Sequence, residues 1–368
     1  MKAKTEPKNV KVLFMARKFP PSVGGMERFA YELSEAISKK VHLHKIKWGG
    51  SNKWLFIVLP IFFVRAFFQL LFNKYDIIHA QDAVQAPVAW LLHVIFQKPY
   101  LVVAHGLDIT HNRSFYQKLI IPFVRKADAV VSISSATKEE AAKRRVNRSK
   151  LHIITLGVND DYSEISFKNK EIVSDILNED VSKKTLLLTT GRLIKRKGVA
   201  WFVDDVLPRL VADNKELLYI IVGEGEERAS IEGSIAKNSM QSYTRMLGRV
   251  NDAQRKALYL GSDMFIMPNV HVPGDIEGFG LVAHEAATAG LTVIASKLEG
   301  ILDAIVDGKN GVLVNWADSE AYISQINYYL KHPNERRAFG ENARKYTLKN
   351  YSWSKIADEY IELYYKLI

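Results

Sequence analysis

The stretch GDIEGFGLVAHEAATAG, residues 274–290, sets two carboxylates, Glu277 and Glu285, with seven residues between them across a Gly-Phe-Gly turn. The residues after the turn are small and apolar, with Ala286, Ala287 and Ala289 ahead of Gly290, and predict a short helix beginning near Phe279 or Gly280 and capped by Gly290. Gly278 and Gly280 carry no side chain, so a second molecule can approach the backbone there. The helix start points its unpaired N–H groups and the positive end of its dipole at that gap. An anion can rest on such a helix end while the two carboxylates address neutral hydroxyls around it, which is the chemical profile of a nucleotide sugar.

Outward from that stretch, strand-like segments recur with helical segments between them. VKVLFM (10–15), YDIIHA (75–80), YLVVAH (100–105) and DAVVSIS (128–134) form a first series. KTLLLTTGR (184–192), ELLYIIVGEG (216–225), SDMFIMPN (262–269) and LTVIAS (291–296) form a second. Strand and helix in alternation predict doubly wound α/β units with parallel sheets. We expect an N-terminal domain over 1–170 and a C-terminal domain over 171–351, divided within the polar stretch NDDYSEISFKNKE (159–171). The amphipathic helix at 352–368 is expected to pack back on the first domain. In open α/β sheets, ligands bind beyond the carboxyl ends of the strands. The loops PPSVGG, AHGLD, TTGRL, VGEGE and PGDIEGFG all follow strands, and are expected to converge on a cleft between the domains.

The bulk composition narrows the function classes. The 368 residues are 48% apolar and 25% charged, as in a globular protein of two domains. There is no cysteine, which excludes disulfides, thiolate metal sites and cysteine nucleophiles. The apolar run near the N-terminus is too short for a signal-peptide core, so a cytoplasmic protein is expected. The net charge of +11 is uneven: residues 1–150 hold 25 Lys and Arg against 10 Asp and Glu, and the remainder 26 against 30. That asymmetry points the first half toward an anionic partner.

Together, GRLIKRKG, VGEGEER, PNVHVPGDIEGFGLVAHEAATAG and FPPSVGGMERF resemble glycosyltransferase family 4, in the family's order and over about residues 10–365. The resemblance implies a GT-B fold, two Rossmann-like domains facing a central cleft. It also implies a retaining, metal-independent transfer of a sugar from a UDP- or GDP-linked donor, with no further cofactor. Arg192 and Lys197, preceded by Gly191, match the diphosphate-binding positions. A planar guanidinium and a compact ammonium there can neutralise a leaving diphosphate. Glu285 matches the ribose-binding position and Glu277 the position beside the transferred sugar. Phe279, Gly280, Leu281 and Val282 are expected to offer backbone N–H groups to the diphosphate, and Val250 to meet the base through its backbone. Gly24 and Gly25 match the glycine loop of the first domain. His105 matches a histidine of the sugar site, with Asp108 beside it. His271 and His284 flank the carboxylate pair, but four ligands of metal-binding geometry are not evident, and no metal site is assigned.

The run WLFIVLPIFFVRAFFQLLF (54–72) is long enough to suggest a membrane span. Pro60, Gln69 and Arg65 argue instead for a domain helix that partly faces lipid. A second basic cluster, AAKRRVNRSK (141–150), adds to the charge of this half. The expected partners are a nucleotide sugar, a glycan or lipid-linked acceptor of the surface-polysaccharide or lipopolysaccharide type, and an anionic membrane surface. The protein is then peripheral on the inner face of the membrane. Two alternatives are a nucleotide-sugar epimerase of similar architecture and a nucleic-acid-binding protein. The second leaves the carboxylate pair and the glycine loops without a role and offers no recognised reading motif, so no nucleic acid is expected.

Overall fold

The computed structural model describes residues 10–111, 113–162 and 170–368. The chain divides into two compact units, Met1–Gly157 with Tyr351–Ile368, and Val158–Asn350. The division therefore falls at Gly157 rather than at 170. The sequence-based boundary adjoins residues 163–169, which lie outside the described residues.

The first unit contains β1 (Lys11–Ala16), β2 (His42–Lys47), β3 (Ile77–Ala80), β4 (Tyr100–Ala104), β5 (Ala129–Ser132) and β6 (Leu151–Ile153). They pair in parallel in the order β2-β1-β3-β4-β5-β6. The chain winds one way from β1 to β2, then returns to add β3 on the other side. That reversal makes the gap between β1 and β3 a topological switch point. The final helix, Trp353–Leu367, packs on helix Gly25–Ser38 of the same unit. Trp353 stacks on Phe29, and the buried Tyr364 hydroxyl meets His79 Nδ1 at 2.7 Å.

The second unit contains β7 (Thr185–Thr190), β8 (Leu217–Val222), β9 (Thr244–Gly248), β10 (Met264–Met267), β11 (Thr292–Lys297) and β12 (Val312–Asn315). Its parallel order is β12-β11-β10-β7-β8-β9. Counted within the unit this is the Rossmann order, with the switch point between β7 and β10. Each unit buries its own apolar core, one around Leu13, Ile78 and Val102, the other around Leu187, Tyr219 and Ile266.

All eight segments read as strands from their apolar runs are strands. Four more were not legible: β2, β6, β9 and β12. These are the four sheet edges, and their side chains are only partly buried. A central strand of a parallel sheet is covered on both faces and reads as a continuous apolar run, whereas an edge strand need not.

Helix Leu55–Phe72 lies in the first unit and buries one stripe, Val58, Phe62, Ala66 and Leu70, in that unit's core. The basic cluster at 141–150 differs from its sequence reading, because much of its charge is internally compensated. Arg148 pairs bidentately with Glu139, and both Arg144 and Lys143 bond to Glu140.

Candidate active site

The second unit's switch point gathers the residues that the sequence singled out. Behind β7, the chain turns at Gly191, passes the exposed Arg192, and forms a single tight turn, Lys195–Lys197. Behind β10 it runs through Asn269 and Glu277 to helix Leu281–Thr288. The two loops are tied directly, Val270 N donating to the Arg196 carbonyl at 2.9 Å.

Glu277 is the hub of this junction. Its buried Oε2 accepts from Lys197 Nζ at 2.6 Å and Asn269 Nδ2 at 2.8 Å, with Arg196 Nε at 3.5 Å. Burial by itself drives a carboxyl pKa upward, but Lys197, Arg196 and Asn269 outweigh it and hold Glu277 below its ordinary value. Arg196 also reaches Asp275 at 2.6 Å. The Glu277 backbone N–H donates to Glu299 Oε2 at 2.5 Å, and the other Glu299 oxygen lies 3.2 Å from His271 Nδ1. Burial, reinforced by nearby Glu277, raises the Glu299 pKa despite those two bonds.

Lys197 therefore differs from Arg192 in kind. Arg192 is an exposed loop cation, and Lys197 is a mostly buried one locked to a buried carboxylate. Arg196, which the sequence offered only as part of a basic run, is buried beside them. Asn269, the polar residue two positions past β10, is almost wholly buried. A polar side chain just past the proline that ends an apolar strand was the one signal in the sequence that could have found it.

The helix begins at Gly280, whose φ of 95° lies in the left-handed region that favours glycine. Gly290, at φ 78°, follows its end. Leu281 and Val282 open the first turn and are half-buried, whereas Phe279 is buried with its ring edge on His284. Glu285, the fifth helical residue, accepts from the Tyr259 hydroxyl at 3.1 Å, and Tyr259 also meets Thr190 Oγ1 at 2.6 Å. Tyr259 is fully buried, and burial first, then the Glu285 charge, raises its pKa well above 10.0. No pattern in the sequence pointed to Tyr259. His284 is not a ligand candidate: it is fully buried, with Nε2 on the Ala304 carbonyl at 2.7 Å.

A floor of glycine backbone runs from Arg192 toward Val250. Gly191 N donates to the Val222 carbonyl at 2.9 Å and Gly223 N to the Gly248 carbonyl at 2.8 Å. At Gly223 (φ 138°) an added Cβ would stand 1.8 Å from the Gly191 carbonyl oxygen, so only glycine lets these loops lie together. Val250 follows β9, just before the capping-box residue Asn251.

In the first unit, the residues flanking the β1/β3 switch point form a separate polar group. His105 Nε2 donates to the Gln81 carbonyl at 2.8 Å, which leaves Nδ1 to face other partners. Asp108 has a structural part in this group. Its two oxygens accept from His105 N at 2.8 Å and Ala83 N at 3.2 Å, so it ties the β3 and β4 loops together. Burial raises its pKa, Asp82 adding to the effect. Arg17 and Asp82, absent from the sequence reading, form a buried ion pair at 2.9 Å between the loops behind β1 and β3. Gly24 and Gly25 are exposed at the start of helix Gly25–Ser38. Glu27 folds back to within 2.4 Å of a Cβ placed on Gly24, and pairs with Lys18 at 3.1 Å.

Two family models match the chain in succession: Glycosyltransferase Family 4 over residues 23–162 and Glycosyl transferases group 1 over residues 172–346. An uncharacterized glycosyltransferase of Methanocaldococcus jannaschii is 28% identical over 84% of this chain and 80% of its own. An uncharacterized protein of the cps region of Klebsiella pneumoniae is 25% identical over 80% of each. Among solved structures, Anabaena HepE in complex with UDP-glucose superposes with a TM-score of 0.75 at 17% identity, over 97% of this chain and all of its own.

Proposed function

The chain belongs to glycosyltransferase family 4 and is a glycosyltransferase of GT-B fold, and from that premise we propose that it moves a sugar from a nucleoside-diphosphate donor to a hydroxyl of a glycan or lipid-linked acceptor, with retention at the anomeric carbon. One observation carries the reading. At the Rossmann switch point, Arg196 and Lys197 pair with the buried Glu277 carboxylate and Arg196 with Asp275, on the loop that also carries the exposed Arg192 and ahead of the start of helix Leu281–Thr288. Arg196 and Lys197 compensate the Glu277 charge, Arg192 adds a cation on the same loop, unpaired among the described residues, and the helix end adds positive potential. A buried Glu277 without its cations would repel a diphosphate; with them, the junction attracts one.

In the reaction, the bond from the anomeric carbon to the diphosphate oxygen breaks and a bond to the acceptor oxygen forms on the same face. The acceptor's proton passes to the departing phosphate. Arg192, Lys197 and the N–H groups of Leu281 and Val282 stabilise the charge that develops on the diphosphate. They take the part that a divalent ion plays in other transferases, so the reading is metal-independent. Glu285, oriented by Tyr259, accepts from the ribose hydroxyls. Glu277 faces the transferred sugar.

UDP-glucose in the Anabaena structure supports a uridine-diphosphate sugar as the first donor to try, and the Klebsiella relative's cps origin supports a surface-polysaccharide acceptor. The test is a panel of UDP and GDP sugars, with and without glycan or lipid-linked acceptors, with and without chelator. Acceptor-dependent release of nucleoside diphosphate and a product of the donor's anomeric configuration are expected. An inverted product, loss of activity in chelator, or sugar isomerisation without transfer would each overturn the corresponding part.

A further inference from the structure

Helix Leu55–Phe72 has one charged residue, Arg65, among its 18. Its buried stripe, Val58 to Leu70 at four-residue spacing, takes up less than half of its circumference. Leu59, Phe63 and Phe67 pack partly against the core beside it, and the far side is mostly apolar and open: Phe56 is 88% exposed and Phe72 75%, with Ile57, Val64, Phe68 and Leu71 all about half exposed. At about 100° per residue, Arg65 falls at the border of this arc, next to the buried stripe, rather than at its centre.

The apolar surface does not stop at one helix. Helix Leu55–Phe72 packs beside helix Ala86–Phe96, where Leu91, Val94 and Ile95 are exposed; that helix packs on Ile121–Lys126, next to Ser114–Leu119. None of the four helices carries a carboxylate. Between Lys53 and Leu107 the acidic residues are Asp76, bonded to the Lys11 backbone N–H, and Asp82, buried against Arg17. Cations do border the face: Lys53, Arg65, Lys74, Lys118 and Lys126, the last lying 4.3 Å over the Trp90 ring. The unit as a whole has 27 Lys and Arg against 13 Asp and Glu.

We propose that this face docks the protein on an anionic lipid surface, with helix Leu55–Phe72 lying in the plane of the interface. The apolar arc enters the boundary between headgroup and acyl chain, and the bordering cations meet the phosphates. A span is disfavoured, since it would pull Val58, Phe62, Ala66 and Leu70 out of the core they share with the sheet. A second copy of the chain is disfavoured too, because two such faces would bring like charges together with no carboxylate to pair them.

The test is cosedimentation of the full chain with vesicles of phosphatidylcholine alone or mixed with phosphatidylglycerol, read without donor or acceptor and so independent of the transferase reading. The protein should pellet with the anionic vesicles at low salt and hardly with the neutral ones. High salt should release part of it, and alkaline carbonate all of it. Combining Phe56→Ser, Phe68→Ser and Phe72→Ser should weaken binding by about tenfold or more with the thermal melt unchanged. Phe56→Ser alone, at the most exposed position, should act in the same direction. The proposal falls if the wild type ignores anionic vesicles, if the serine variants bind like the wild type, or if carbonate fails to release it. It falls equally if sedimentation velocity shows a dimer that the serine variants disperse, which would give the face to a second copy.

Discussion

Lys197 Nζ lies 2.6 Å from Glu277 Oε2 and joins the loop behind β7 to the loop behind β10. Both side chains are largely buried, so each is part of the other's environment in the folded protein. Lys197→Ala should therefore act twice. Turnover should fall by about a hundredfold or more, the scale for losing a preorganised charge partner. Stability should fall by about 2–3 kcal/mol, less than for a buried carboxylate left wholly unpaired, because Arg196 and Asn269 remain. Steady-state kinetics and urea midpoints measure the two losses separately.

Arg192→Ala should separate them. The residue is exposed, and its side chain makes no ion pair among the described residues. Turnover should drop as in the lysine variant while the unfolding free energy from urea titration stays within about 0.5 kcal/mol of wild type. An Arg192 variant that transfers sugar at the parental rate would remove this residue from the diphosphate site.

The Tyr259–Glu285 bond predicts a shared kinetic signature. A contact to ribose exists in the ground state and the transition state alike, so Glu285→Gln should raise the donor KM with little change in kcat. Tyr259→Phe removes the hydroxyl that orients Glu285 and should raise KM in the same direction, with about 1 kcal/mol lost in stability. A kcat effect without a KM effect in either variant would move Glu285 away from the ribose.

Gly223→Ala tests the glycine floor. The new Cβ would meet the Gly191 carbonyl at 1.8 Å and the φ of 138° suits no L side chain. A loss of about 2 kcal/mol or more is expected, with donor KM rising because the Gly191–Arg192 turn must move. Calorimetry together with donor titration reads both effects.

His284 sets a pH dependence. Burial lowers its pKa from 6.5 to about 4, so the unfolded chain binds a proton at a higher pH than the folded one. The resulting stability is fully present above 6.5 and declines as pH falls toward 4, by up to about 3 kcal/mol. His284→Gln keeps a donor for the Ala304 carbonyl and does not titrate. The stability difference between wild type and this variant should shrink from neutral pH to pH 4. His79, buried in the first unit with its pKa pushed down to about 3, has the same sign but is common to both proteins and cancels.

The chain's central strands, the helix that opens at Gly280 and the Arg192, Lys197, Glu277 and Glu285 positions were all readable from the sequence. Each is written locally, as an apolar run, a glycine at a turn or a charge at fixed spacing. The edge strands β2, β6, β9 and β12 were not, because a half-exposed strand needs no continuous apolar pattern. Nor did the sequence say that Lys197 is locked to Glu277 while Arg192 stands open, that Asp108 spends both oxygens on backbone N–H groups, or that Tyr259 orients Glu285. Partners 80 residues apart, as Lys197 and Glu277 are, meet only once β7 and β10 lie side by side in the sheet. Whether a charge is solvated or buried is a property of that packing, and no single stretch of the chain contains it.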